Sequence, residues 1–115
     1  MATEYLTLGQ CVTAGSPSTY ATLYDLPAAT AAVVSNLHIC NLTSSAQTVR
    51  VAVCASVTPS NEEFIVYDLG IDANESYPLV IGVTMNNSGA NPTKYIRVSA
   101  SSASVSFAAF GAEQT

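Results

Sequence analysis

Basic residues are nearly missing from this chain. Its 115 residues include three, Arg50, Lys94 and Arg97, and a single histidine, His38. Nucleic-acid binding depends on clustered Lys and Arg set against phosphates, so that partner is excluded. Charge of either sign is scarce: 10% of residues, with a net charge of −5, against about 25% charged in an average domain. Coiled coils and long surface helices draw on Glu, Lys and Arg and are excluded with it. Tryptophan is absent, which weakens any sugar-stacking site. No run approaches the ~18 apolar residues of a membrane span, so no membrane partner is expected. Met1 to Gln10 contains Glu4, no basic residue and no apolar run. That is not the pattern of a secretory signal, and synthesis in the cytoplasm is expected.

The chemistry-bearing motifs are missing too. There is no CxxC, HExxH, GxSxG or glycine-rich phosphate loop, so no metal, no cofactor and no enzyme activity is expected. Cys11, Cys40 and Cys54 make an odd count, which argues against a disulfide framework. They read as small buried or half-buried hydrophobes. Three Asn-x-Ser/Thr sequons, at Asn41, Asn74 and Asn86, follow from the abundance of hydroxyl residues and mark turns.

What remains is a chain that is 49% hydrophobic, with 14 Ser and 12 Thr, long enough for one core only. Its periodicity is 2, not 3.6. In Ala32 to Asn41, Val33, Leu37 and Ile39 share one face with Ser35. Val34, Asn36, His38 and Cys40 share the other. Thr48 to Ala55 sets Val49, Val51 and Val53 against Arg50, Ala52 and Cys54. Glu63 to Leu69 sets Phe64, Val66 and Asp68 against Ile65, Tyr67 and Leu69. Tyr77, Leu79, Ile81, Val83 and Met85 alternate without a break, with Gly82 on the far side as a candidate bulge or close backbone approach. Thr3 to Thr7 and Thr19 to Leu26 are weaker strands, the second stopped by Pro27. Asn41 to Ala46 reads as a hairpin turn that sets Cys40 opposite Gln47. Lys94 to Ala100 and Ala103 to Phe110 read as a final hairpin through Ser101-Ser102, with Ile96, Val98 and Ala100 alternating in the first arm and Val105, Phe107 and Ala109 in the second. Turn clusters lie at Thr58 to Asn61, Asp72 to Ser76 and Asn86 to Thr93. About eight strands at roughly ten-residue spacing predict an all-β, single-domain antiparallel β-sandwich, jelly-roll or Ig-like. Residues 1–10 form an N-terminal arm or edge strand, and residues 11–115 the sandwich.

Candidate sites are few. His38 and Cys40 share a strand face, a spacing common by accident, and no Ser/His/Asp arrangement is built on them. Asp72, Asn74 and Glu75 have oxygen ligands for calcium but lack the EF-hand spacing. Six tyrosines suit a core rim or an interface. The candidate interface residues are Tyr5, Leu6, Leu8, Tyr20 and Tyr24, with Tyr5 as the anchor of a Thr3 to Leu8 arm. The candidate binding-loop residues are Asn61, Asn86, Asn87 and Asn91. Free β proteins guard their edges with lysine and other charges. Here there is one lysine, so much of the surface is expected to be covered in an assembly.

Several segments carry a resemblance. Thr22-Leu-Tyr-Asp-Leu-Pro-Ala-Ala-Thr30, Ala32-Val-Val-Ser35, Ile39-Cys-Asn41, Val49-Arg-Val-Ala-Val53, Tyr67-Asp-Leu69, Ile71-Asp-Ala-Asn-Glu75 and Ser106-Phe-Ala-Ala-Phe-Gly-Ala-Glu113 are similar in order to small β-sandwich virion structural proteins of tailed bacteriophages. The similarity spans about residues 6–114. Leu42-Thr43 departs from the Arg-Gly turn that often follows Cys-Asn in such proteins. The resemblance implies a non-enzymatic particle component made in the host bacterium, a capsid decoration or neck and tail accessory. Its partners would be itself, as a homo-oligomer such as a trimer, and other virion proteins. The alternative is a host-surface or glycan-binding module of a tail or head fibre.

Overall fold

The fold comes from a computed structural model that describes residues 3–87 and 92–115. It has eight strands: β1 Thr3–Ala14, β2 Ala21–Asp25, β3 Ala31–Asn41, β4 Gln47–Cys54, β5 Phe64–Ile71, β6 Ser76–Asn86, β7 Tyr95–Ala100 and β8 Ala103–Gln114. One 3-10 turn, Asn61–Glu63, precedes β5. The strands form two four-stranded antiparallel sheets, ordered β1-β8-β3-β6 and β2-β7-β4-β5; they are called the outer-strand sheet and the inner-strand sheet below. β1 pairs with β8, β2 with β7, β3 with β6 and β4 with β5. These pairs are nested, as in one long hairpin wrapped around a core. That is the jelly-roll solution, and it separates this chain from an Ig-like sandwich, where successive strands pair within a sheet.

The nesting corrects both expected local hairpins. β7 and β8 lie in different sheets, as do β3 and β4, so Ser101-Ser102 and Asn41 to Ala46 are crossovers between layers. Cys40 faces Ser76 and Ser106 rather than Gln47. All three cysteines are free thiols. Only β4 and β5 are consecutive strands that also pair.

Two strand faces also differ from a strict alternation, for one reason. Val34, Leu37 and Ile39 point into the core, and Val33 is 48% exposed. A register shift between Val34 and Asn36 places Ser35 in a bulge, and one extra residue inverts every side chain beyond it. In β5, Val66, Leu69 and Ile71 point inward or partly so. Register shifts fall at Tyr67-Asp68, where Asp68 adopts φ +55°, and at Ile65, between Phe64 and Val66. The alternation of β6 holds: Leu79, Ile81, Val83 and Met85 pack on the core. The extra residue of β6 lies between Val80 and Val83, beside Gly82. Nothing approaches within 4 Å of a Cβ placed at Gly82, so the close approach is absent.

The core lies between the sheets. Val34, Leu37, Ile39, Val105, Phe107 and Ala109 meet Leu23, Val49, Val51, Ile96 and Val98. Asn41 is fully buried at one end of the sandwich. Its Nδ2 donates to the carbonyls of Ser45, Ile71 and Asp72, and its Oδ1 accepts from the N–H and hydroxyl of Thr43. One side chain thereby ties the β3–β4 and β5–β6 crossovers together and leaves no buried polar atom of its own unmet.

Candidate interaction surfaces

The opposite end of the sandwich carries the β2–β3, β4–β5 and β6–β7 connections. Leu26 N–H donates to the Lys94 carbonyl, Lys94 N–H to Cys54, and Asn87 N–H to Thr30. Asn87 spends its side-chain amide on the Leu26 carbonyl at 3.0 Å, so it holds these loops to one another. Asn61 opens the 3-10 turn, fully in solvent. There the Glu63 carboxylate accepts from the Ser60 N–H at 2.9 Å and the Ala55 N–H at 3.1 Å. Backbone donors, Ser60 first, hold that carboxyl below the usual glutamate range. Asn86 is exposed at the end of β6 and bridges to Thr93. Asn91 lies outside the described residues.

The five candidate interface residues fall in different environments. Tyr5 stands 88% exposed on the outward side of β1. Leu6 is half-buried, and Leu8 packs against the core. Tyr20 is half-buried against Phe64, ring centroids 6.0 Å apart. Tyr24 is 5% exposed and belongs to the core. Its hydroxyl donates to Glu113, linking the two sheets. Burial first, and the Glu113 carboxylate second, push the Tyr24 phenol well above its ordinary range.

The two sheets are covered differently on their solvent sides. The outer side of the inner-strand sheet is wrapped by the β1–β2 connection. The Pro17 carbonyl accepts from Arg50 Nη1 and from Ser99 Oγ, and the Tyr20 carbonyl accepts from Arg97 Nη2. Arg50 also pairs with Asp68 at 2.7 Å and lies 4.1 Å from the Tyr67 ring centroid. Ala52, Cys54 and Ser99 are left with no exposed surface beneath this cover. Among the described residues the outer-strand sheet has no such cover. Its four strands contain only two charged residues, Glu4 and Glu113. Those two are cross-strand partners on the side that faces the other sheet, as the bond from Tyr24 to Glu113 shows. The solvent face of this sheet therefore has no Asp, Glu, Lys or Arg. The weak segment Thr3 to Thr7 and the hairpin arm Ala103 to Phe110 did not suggest this face. The signal was present, as four charge-poor strands, but only the strand order assembles it.

His38 and Cys40 also sit on that face. His38 meets Phe110 edge-to-face at 5.7 Å. The depression beside them is lined by residues such as Gln10, Cys11, Val12 and Ser106 and has no carboxylate. Among the described residues no group of three or more His, Cys, Asp and Glu is placed to hold a metal ion. Burial pushes the Cys11 thiol up, and burial together with Glu63 pushes Cys54 up to about 11. Both are therefore protonated at neutral pH and poor nucleophiles. Among the described residues no helix is long and apolar enough to cross a membrane.

Three solved structures similar to this chain are of a virus or its particle. A chain of the crystal structure of the T13 IBDV viral particle matches 97% of this chain with a TM-score of 0.56 at 11% identity. Chains from infectious bursal disease virus strains Gx and Gt match the same share with TM-scores of 0.52 and 0.50, each at 13% identity. At such identity the likeness is one of fold. This chain spans 30% of the length of the first and about a third of the second. No protein-family model matches the chain, and no curated protein does.

Proposed function

We propose that this chain is a non-enzymatic structural protein of a virion. In the finer form of this reading it is a bacteriophage protein that self-assembles and attaches to the particle as a capsid decoration or a neck or tail accessory. The observation that carries the reading is the likeness of this jelly-roll fold, over 97% of the chain, to a chain of a viral particle. The jelly roll is a fold of many functions, capsid and lectin domains among them. The charge distribution favours the structural role. A surface with few charges associates without desolvating ions, whose burial costs several kcal/mol each.

The test is location. Tryptic peptides of this chain should be found in purified particles at a stoichiometry of many copies, and antibody labelling should mark one position on the head, neck or tail. A chain absent from purified particles refutes the proposal. A glycan-array signal lost on changing the Asn61 and Asn86 loops would favour the host-binding alternative instead.

A further inference from the structure

We infer that the uncharged solvent face of the β1-β8-β3-β6 sheet is the surface by which two copies of this chain pair around a two-fold axis. The inference rests on the self-assembly part of the proposed function and names the surface that performs it.

Three observations converge. First, the face is charge-free in a chain with eleven charged residues and a net charge of −5. In a two-fold contact the same patch faces itself, so a carboxylate on a patch without basic residues finds no opposite charge across it and, near the axis, meets its own symmetry mate. A face without charge is the condition for such pairing between acidic copies. A basic partner of another kind would be drawn to the carboxylates at the loops and strand ends, and this face offers it nothing to pair with.

Second, the chain covers the opposite sheet with its own β1–β2 connection, fastened by Arg50, Arg97 and Ser99, and leaves this one bare. Large apolar side chains stay in solvent here, with Tyr5 88%, Val80 82% and Val33 48% exposed. Beside Tyr5 and Val33 lies a depression of about 550 Å³, lined by uncharged residues such as Ser35, Phe110 and Ala112. Ridges beside hollows are what face-to-face sheet packing interdigitates, at about 10 Å between sheets.

Third, the area suffices. Four strands about 4.8 Å apart and about 11 residues long at ~3.3 Å each span about 700 Å² in projection. That projection is close to the ~800 Å² per partner of a standard stable interface.

The experiment is light scattering after size exclusion on the full chain, with circular dichroism as the check on folding. The wild type should have the mass of two chains. Val33→Glu and Val80→Glu each place a carboxylate on the face at an exposed position, so the monomer fold tolerates them. Each should reduce the mass to one chain with an unchanged spectrum. Val57→Glu makes the same change at a 52% exposed loop position away from the face, and should remain a dimer. A wild-type monomer or trimer overturns the two-fold pairing. So does a dimer that survives both face variants, and in that case self-assembly through another surface stands. Absence from purified particles would refute the virion reading and leave the pairing measurement intact.

Discussion

At Gly111 the backbone of β8 lies hard against β3, and replacing the glycine with alanine gives a measurable test of the β3–β8 register. A Cβ at Gly111 would lie 1.9 Å from the Val33 carbonyl oxygen and 3.1 Å from the Val34 Cα. Gly111 does not adopt positive φ, so the requirement is for space alone. Real Cβ contacts are not found below 3.0 Å, and the two strands would have to part by about 1 Å. Neither strand can yield cheaply, because β8 is paired on its other side with β1 and β3 with β6. Overpacking of this kind costs about 1–3 kcal/mol. Disturbing one or two ladder hydrogen bonds adds about 1 kcal/mol each. A loss of about 3–4 kcal/mol is therefore expected, a large part of the ~5–15 kcal/mol total of a domain. At about 4 °C per kcal/mol for this size, the melting temperature should fall by about 12–16 °C. Gly82→Ala is the control: its Cβ would meet nothing within 4 Å, and a compatible Gly→Ala change is neutral or stabilises by up to about 1 kcal/mol. Urea and thermal unfolding of both variants decide the matter. A Gly111→Ala loss under about 1 kcal/mol, or equal losses at both glycines, would refute the register described above.

Two further variants probe polar contacts inside the sandwich. Asn41→Ala removes a fully buried amide that satisfies three carbonyls and two Thr43 donors. It should cost about 3 kcal/mol or more by urea unfolding and speed amide exchange in the β3–β4 and β5–β6 crossovers; normal exchange there would contradict the role given to Asn41. Tyr24→Phe removes the hydroxyl that donates to Glu113 across the sheets, and should cost about 1–3 kcal/mol at neutral pH. The Tyr24 phenol is held above its ordinary value of 10.0, so its contribution is complete below pH 10. That contribution is lost as pH rises through the higher folded value, because the unfolded chain ionises first. The wild type should therefore lose stability above pH 10 more steeply than Tyr24→Phe, and parallel alkaline profiles would count against the linkage.

Much of the local structure was legible. The unbroken alternation from Leu79 to Met85 placed β6 correctly, and the alternation of Val105, Phe107 and Ala109 did the same for the core face of β8. Period 2 is a property of the backbone itself, so it survives any arrangement of neighbours. The faces of β3 and β5 failed at Ser35 and at Tyr67-Asp68. A bulge is defined by the partner strand, and nothing within the strand announces it. The candidate interface residues illustrate the same limit. Tyr5 and Tyr24 are both tyrosines on β-rich segments, yet one stands in solvent and the other bonds Glu113 inside the sandwich.

By itself the sequence determined an all-β chain of about eight strands, with one core and few charges. Composition and short-range periodicity carry that information, because hydrophobic burial and strand geometry act on neighbouring residues. Tertiary structure alone decided that β1 lies beside β8 and β2 beside β7, pairings that join opposite ends of the described chain. The choice between local hairpins and nested ones depends on how long loops close and how two sheets share a core, which no single strand encodes. That choice also gathered four charge-poor strands onto one side of the molecule and turned low charge from a composition into a surface.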